Sequence, residues 1–309
     1  MNEQSPSKFK ILAAFGAIYT IWGSTYLAIR YAVESIPPFF MMGSRSMIAG
    51  LILYLWGRSR SDERIQREHW HALFIIGTFF FLIGQGFLAW AELRLPSGLS
   101  AVLVASQPLW AMIIESFFLH DTRVKRRGII GLMLGFAGIA YLIVSTEGID
   151  ASAGTMMASL AIIAGAVSWS AGAVYARVAR LPKSPLLTAG SELIAGGALL
   201  LITGFILGEG NQLNASNLLL RSLFSEGYLI VFGSVIAFSA YIWLLGHTSV
   251  TRISTHAYVN PVLAVVLGWL IAGERLTIEL LVAIIIVIVS VVLVLNDQTH
   301  TSTVQTAES

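Results

Sequence analysis

Two oppositely charged side chains stand inside apolar runs that are long enough to cross a membrane. Arg45 lies in the run from Pro38 to Trp56, and Glu192 lies in the run that begins at Pro185. A charge in such a run costs about 2.5–3.5 kcal/mol on insertion scales, so it normally faces a partner or a water-filled cavity. Arg45 could bind a carboxylate or phosphate-like group, and Glu192 could accept an amine or a proton. A purely structural ion pair between the two is the alternative.

Aromatic and amide side chains accompany this pair. Trp22 and Trp169 fall in mid-span, which favours the walls of a cavity for aromatic or apolar cargo over anchors at the membrane surface. Gln107 and Asn260 each precede a proline that kinks its helix, so the amide either mends the break or offers hydrogen bonds to cargo. The complete candidate set for substrate binding is Trp22, Arg45, Gln85, Gln107, Trp169, Glu192, Tyr258 and Asn260.

The composition defines the environment of these side chains. Of 309 residues, 56% are hydrophobic and 12% are charged, and the mean hydropathy is +0.77. Soluble domains carry about 25% charged residues, so this composition indicates a polytopic membrane protein embedded in a lipid bilayer. A net charge of +2 gives no footprint for nucleic acid. The sequence has no cysteine and no motif for a metal, a nucleophile or a phosphate loop, so we expect neither a cofactor nor enzymatic activity.

Ten apolar spans predict an all-α fold of ten transmembrane helices, because continuous apolar runs cross membranes as helices. The spans are placed at 11–29, 38–57, 72–91, 99–119, 128–145, 156–176, 185–207, 225–245, 253–273 and 278–295. With the N-terminus inside, 14 of the 19 Lys and Arg residues fall in cytoplasmic segments and four fall outside. The excess of positive charge inside therefore predicts that both termini are cytoplasmic.

The spans form two sets of five that match at fixed offsets. Trp22 and Arg30 are eight residues apart, as are Trp169 and Arg177, which gives an offset of 147. Further matches are Pro38 with Pro185 and Arg45 with Glu192, and, at an offset of 153, Gln107 with Asn260 and Asp121 with Glu274. Because five is odd, the second copy must be inverted, as in secondary transporters whose substrate site lies between the repeats. We predict a first repeat at 1–150, an inverted repeat at 151–296 and a disordered polar tail at 297–309.

The matched segments also carry a family resemblance. IWGSTYLAIRYAVESIPPFFMMGSR and AVSWSAGAVYARVARLP resemble the two repeat starts of the EamA-type transporters of the drug/metabolite transporter superfamily. VASQPLWAMIIESFFLHD and HAYVNPVLAVVLGWLIAGERLT resemble their fourth and ninth spans. Within the family, the chain looks most similar to bacterial inner-membrane exporters. The resemblance implies a ten-helix bundle with both termini in the cytoplasm, a central cavity between inverted halves and export of small metabolites.

The leading interpretation is a secondary transporter that exports small metabolites, amino acids or drug-like compounds by alternating access. Its expected partner is a small-molecule substrate, and its transport would be coupled to protons or to exchange. An integral membrane enzyme is disfavoured because the motifs of catalysis are missing. A passive channel for small polar solutes is disfavoured by the bulky Trp and Tyr residues in mid-span and by the lack of charged rings. The sequence predicts neither the cargo nor the oligomeric state.

Overall fold

Ten long helices and no strand are present in the part of the chain that the structure, a computed structural model, describes: residues 7–118, 126–145, 153–247, 253 and 256–305. They are α1 (Lys8–Ala32), α2 (Pro38–Arg60), α3 (Arg67–Ala91), α4 (Ser97–Phe118), α5 (Arg126–Ser145), α6 (Ala153–Ala176), α7 (Pro185–Ile206), α8 (Leu220–Leu245), α9 (His256–Ala272) and α10 (Ile278–Gln305). Each lies on one of the ten predicted spans. The prediction of an all-α polytopic membrane protein built from two five-helix repeats is confirmed.

Hydrophobicity explains why these segments are helical. Seven of the helices are long and apolar enough to cross a bilayer, and Val259–Ala272 and Ile278–Ser290 are shorter apolar stretches. No water satisfies backbone N–H and C=O groups inside a bilayer, so a crossing segment must bond within itself. Pro38 and Pro185 begin α2 and α7, where a helix needs no N–H donor.

Three helices depart from regular α geometry. α4 is interrupted at Ala105 and Ser106, directly before the predicted break at Gln107-Pro108. Thr78–Gln85 in α3 and Leu229–Phe238 in α8 are π-helical, and these two segments occupy equivalent places in the two repeats. Such π-helical turns are rare in proteins and often occur at functional sites. The widened turns leave backbone carbonyls to which side chains of other helices can bond.

Two stripes of glycine bring α2 and α7 into close contact. The stripes are Gly43, Gly50 and Gly57 in α2 and, 147 residues later, Gly190, Gly197 and Gly204 in α7. A Cβ added to Gly50 would lie 2.9 Å from the Gly190 carbonyl oxygen, and one added to Gly197 would lie 3.1 Å from the Gly43 carbonyl oxygen. Adding 147 to Gly50 gives Gly197, and subtracting 147 from Gly190 gives Gly43, so the two contacts are equivalent under the repeat. The two helices are therefore antiparallel and related by an approximate two-fold axis, as expected for the second helices of two inverted repeats.

Loop carboxylates of each repeat cap a helix of the other repeat. Glu63, between α2 and α3, accepts hydrogen bonds of 2.8 and 2.9 Å from the backbone N–H groups at the start of α7. Glu209, between α7 and α8, accepts hydrogen bonds of 3.3 and 2.9 Å from the backbone N–H groups at the start of α2. A carboxylate is favoured there by the unpaired N–H groups and by the helix dipole. The two caps therefore join the repeats at opposite ends of the bundle.

The two ends of the bundle differ in charge. The end that carries Glu63 also carries Arg58, Arg60, Arg64 and Arg67. It is called the basic end below, and the end that carries Glu209 is called the opposite end. The cytoplasmic location of the basic end, and with it that of both termini, stays a prediction.

At the C-terminus, α10 continues to Gln305, past position 297, where the polar tail was predicted to begin. The disorder of 297–309 stays a prediction, as do the boundaries of the two repeats. Asp121, matched to Glu274 in the sequence, lies outside the described residues.

Candidate functional site

A cavity lies between the two repeats, displaced from the middle of the bundle toward the opposite end. Its empty volume is about 600 Å³, counting the part that is open to solvent, and its walls come from α1, α2, α3, α4, α6 and α9. The candidate residues that line it are Trp22, Arg45, Gln85, Gln107, Trp169 and Asn260. Tyr258 belongs to α9, but its side chain lies outside the described part of the structure. Glu192 does not line this cavity.

An aromatic layer forms the end of the cavity nearest the middle of the bundle. Trp22 and Trp169 meet edge to face, with ring centroids 6.0 Å apart and an interplanar angle of 89°. Tyr241 and His256 flank Trp22, with ring centroids 5.1 and 5.4 Å from it. Beyond this layer, toward the basic end, lies a smaller space of about 330 Å³ that Ala111 helps to line. The repeat-equivalent tryptophans therefore separate the cavity from the basic end.

The walls continue from this layer along antiparallel helices. On α1 the cavity is lined by Thr25, Tyr26 and Ile29, which come after Trp22. On α6 it is lined by Ile162 and Ala166, which come before Trp169. The candidate set contained none of these wall residues. Their spacing of three, four and seven residues from the tryptophans is the signal that could have found them, because such positions share one helix face.

The π-helical segments position both aromatic walls. Trp22 Nε1 donates a hydrogen bond of 3.3 Å to the Gly233 carbonyl oxygen in the π segment of α8. Trp169 stacks on Phe80 in the π segment of α3, with ring centroids 4.5 Å apart. The neighbouring Ser168 hydroxyl donates to the Phe79 carbonyl oxygen at 2.9 Å. The first helix of each repeat is thus fixed to the widened helix of the other repeat.

Arg45 brings a supported positive charge to the cavity wall. Its side chain is nearly enclosed, and its Nε donates a hydrogen bond of 2.8 Å to Ser234 Oγ. The carboxylate of Glu226, itself hydrogen-bonded to Ser44, is its electrostatic partner. A guanidinium in such surroundings can bind a carboxylate or phosphate group through directed, charge-assisted hydrogen bonds.

Arg45 does not pair with Glu192. The ion pairs among the described residues are Arg177–Glu115, Arg180–Glu68 and Arg221–Glu34. The close approaches of Gly50 to Ile194 and of Gly197 to Met47 place the two-fold axis near positions 48–49 of α2 and 195–196 of α7. Arg45 and Glu192 each lie N-terminal to the axis in their own helix. Because the helices are antiparallel, the two residues lie on opposite sides of the axis, about 10 Å apart along the bundle at 1.5 Å per residue. The ion pair between Arg45 and Glu192, which the sequence left open as an alternative, is therefore not formed in this structure.

Glu192 lies in a different environment from Arg45. It is fully buried, and neither carboxyl oxygen has a hydrogen-bond partner among the described residues. Tyr241, of the aromatic layer, is within its electrostatic range. At an offset of 153, the positions equivalent to Ser234 and Glu226 are Phe81 and Leu73, so the polar partners of Arg45 have apolar counterparts in the other repeat. A buried carboxyl group without partners is most stable as the neutral acid.

The amide side chains of Asn260 and Gln85 have different surroundings. Asn260, with its amide nitrogen as donor, reaches the carbonyl oxygens of Tyr19 at 3.0 Å and His256 at 3.2 Å, which ties α9 to α1 beside Pro261. Gln85, at the end of the π segment, has a buried Oε1 without a partner in the described part of the chain. The Gln85 oxygen is thus the amide acceptor that cargo could use, whereas Asn260 already repairs its helix.

Comparison with known proteins finds relatives over nearly the whole chain. A model described as the EamA-like transporter family matches residues 8–144 and 156–296, one match for each repeat. The Uncharacterized inner membrane transporter YedA of Escherichia coli (strain K12) is 35% identical over 92% of this chain and 91% of its own. The Uncharacterized transporter YoaV of Bacillus subtilis (strain 168) is 24% identical over 90% of this chain and 94% of its own. A crystal structure of a protein with 20% identity, covering 93% of this chain and 97% of its own, superposes with a TM-score of 0.67 and supports the fold.

Proposed function

Because the chain belongs to the EamA-like transporter family, and is thus a multi-pass membrane transporter of the plasma membrane, we propose that it is a secondary exporter working by alternating access. Its cargo would be small metabolites, amino acids or drug-like compounds. The observation that carries the proposal is the cavity between the inverted repeats, where Arg45 adjoins an aromatic layer. Sites at this place are characteristic of transporters built from inverted repeats.

The cavity favours a small carboxylate-bearing cargo with an apolar or aromatic body. Its lining combines a positively charged side chain with aromatic walls, which is the mixture of a few polar groups and apolar surface found in small-molecule sites. Arg45 would bind the carboxylate, Trp22 and Trp169 would contact the body, and Gln85 would accept a hydrogen bond from an amine or hydroxyl group. An aromatic or branched amino acid combines these three features.

Glu192 is the residue that we propose to couple transport to protons. It is buried between the repeats with no hydrogen-bond partner among the residues that the structure describes, and it lies near Tyr241 of the aromatic layer. A carboxyl group in this setting can hold a proton in one conformation and release it when water enters in another. With the basic end in the cytoplasm, the cavity in this structure would adjoin the outer half of the membrane.

Flux into reconstituted vesicles tests the proposal. A panel of amino acids, organic acids and hydrophobic amines would be presented with and without a pH gradient. We expect gradient-driven flux of at least one carboxylate-bearing member, and an approximately 100-fold loss in Arg45→Ala, equivalent to about 2.7 kcal/mol of lost interaction. Arg60→Ala is the matched control, because Arg60 is an exposed arginine of the same helix.

Glu192→Gln separates coupling from binding. It should retain cargo binding and exchange but lose the response to the pH gradient, because an amide cannot release a proton. Folded protein that shows no flux for any member of the panel would contradict the transport proposal. Wild-type flux in Arg45→Ala would instead remove Arg45 from the cargo site.

A further inference from the structure

A second buried acid lies at the opposite end of the bundle, outside the cavity. Glu92 directly follows α3 and is fully enclosed, and neither of its carboxyl oxygens has a hydrogen-bond partner among the residues described. Arg30 donates a hydrogen bond to the backbone carbonyl oxygen of Glu92 rather than to its carboxylate. An ionised carboxylate without partners is strongly disfavoured in such a place, so this geometry favours the neutral acid.

The charged and titratable groups that face Glu92 come from two other parts of the fold. Arg30 and Tyr26 approach it from α1, and Glu274 approaches it from the connection between α9 and α10. Burial, assisted by the negative charge of Glu274, raises the pKa of Glu92 well above its usual range, and Arg30 opposes the shift. Tyr26 also lines the cavity, so it connects this acid to the cargo site.

Glu274 holds α4 in place. Its Oε1 accepts hydrogen bonds from the Ser97 backbone N–H at 2.9 Å and the Ser97 hydroxyl at 2.8 Å, and its Oε2 accepts one from the Gly98 N–H at 3.2 Å. The second repeat thus caps a helix of the first repeat, as Glu209 does at the same end. The cap is strongest when Glu274 is negative and no other negative charge lies beside it.

Glu92 breaks the symmetry of the two ends. The last turns of α3 and α8 match at an offset of 153. Arg94 stacks on the Trp90 ring and contacts the Trp90 carbonyl oxygen. His247 does the same with Trp243. The same offset matches Glu92 to Leu245. The ends of α3 and α8 therefore match, except that the end of α3 carries the additional carboxyl group of Glu92 at the opposite end of the bundle.

We propose that Glu92 is a proton-binding site separate from the cargo cavity, and that release of its proton loosens the Glu274 cap and opens the opposite end. The proton passes from the Glu92 carboxyl group to water entering from that end, which leaves a carboxylate beside Glu274. Repulsion between the two carboxylates then weakens the hold on the start of α4. Rebinding of the proton removes the repulsion and restores the cap.

Cysteine labelling tests this proposal without any cargo, since the natural chain contains no cysteine. Ser100→Cys places a thiol on a fully buried position in the first turns of α4. Its labelling rate would be measured across a pH series and divided by the rate of exposed Gln212→Cys, which corrects for thiol ionisation. We expect the normalised rate to rise about tenfold from the acidic to the alkaline end of the series, because an acid whose pKa is raised by burial loses its proton only as the pH increases.

Three further variants, each combined with Ser100→Cys, define the outcome. Glu92→Gln should remain protected at every pH, and Glu92→Asp should keep a pH-dependent rise. Glu274→Gln should label faster at every pH with little pH dependence, because the cap is already weakened. Glu34→Gln, at an exposed acid of the same end, should match the parent.

A pH-dependent rise that is the same in Glu92→Gln and in the parent would overturn the proposal. A Glu274→Gln variant as well protected as the parent would overturn the role of the cap. Since neither readout requires flux, these failures are distinguishable from failure of the transport proposal.

Discussion

The two repeats are alike where they pack and differ where they are charged. The glycine stripes of α2 and α7, the π-helical segments of α3 and α8, and the central pair Trp22 and Trp169 all obey the repeat. Several buried ionisable groups do not: Arg45 corresponds to Glu192, and Glu92 corresponds to Leu245. Backbone contact tolerates little change in volume, whereas a charge can be exchanged if its surroundings change with it.

This difference is the reason that we propose functional roles for residues that depart from the symmetry. A symmetric scaffold gives two related conformations in which one end or the other can open. Only asymmetric groups can make those conformations respond differently to cargo or protons, because a ligand shifts an equilibrium only through differential affinity for the two states. Arg45, Glu192 and Glu92 are three such asymmetric groups, and they lie at the cavity, between the repeats and at the opposite end.

The largest expected contrast is between the two equivalent charges. Arg45→Leu should destabilise the protein by about 3 kcal/mol, because it leaves Glu226 without its cation in a largely enclosed site. Glu192→Leu should be neutral or stabilising, because its carboxyl group has no partner among the described residues. Thermal unfolding of both purified variants in detergent measures the contrast. Equal losses in the two variants would contradict the different environments assigned to them.

The glycine stripes should show the opposite behaviour, namely equal responses in the two repeats. Gly50→Val and Gly197→Val should each cost about 2–3 kcal/mol, because the added carbons meet backbone atoms that cannot move aside. Gly16→Ala is the control, since nothing lies within 4 Å of a Cβ there, and it should be neutral or slightly stabilising. Thermal unfolding again provides the measurement, and a tolerated Gly197→Val would refute the symmetric crossing.

The sequence predicted the ten helices, the repeat and six of the sixteen residues that line the cavity. Apolar runs must be helical in a bilayer, and Trp22, Trp169, Arg45 and Gln107 are of types that rarely occur in such runs without a role. The two tryptophans meet because they lie close to the two-fold axis. For the two tryptophans, position in the repeat was sufficient information.

The sequence did not predict that Arg45 and Glu192 would be apart. Equivalence shows that two residues are related by the axis, but it does not show how far each lies from it. The heptad spacing of Gly43, Gly50 and Gly57 carried that information, because a glycine stripe marks the face where two helices cross. The π-helical segments and the cap by Glu274 depend on tertiary contacts that no local pattern records.

The carboxylate caps should contribute equally and independently. Glu63→Gln and Glu209→Gln should each lower stability by about 1 kcal/mol, because an amide replaces a charge at a helix N-terminus. The double variant should lose the sum of the two, since the caps lie at opposite ends of the bundle. Thermal unfolding measures all three, with Glu279→Gln in the first turn of α10 as a comparison. A double variant that loses much more than the sum would show that the two ends are coupled.

The smallest contrast is between the two tryptophans of the aromatic layer. Trp22→Phe removes the indole N–H that donates to the Gly233 carbonyl oxygen, so it should cost about 1 kcal/mol and loosen α1 from α8. Trp169→Phe keeps a ring that can stack on Phe80 but removes the hydrogen bond between Trp169 and Tyr241, so it should cost a similar amount. Unfolding temperatures rank the two losses, and cargo affinity shows whether both rings contact cargo. If Trp169→Phe proves the more damaging, the layer is supported mainly by stacking on α3 rather than by the hydrogen bond to α8.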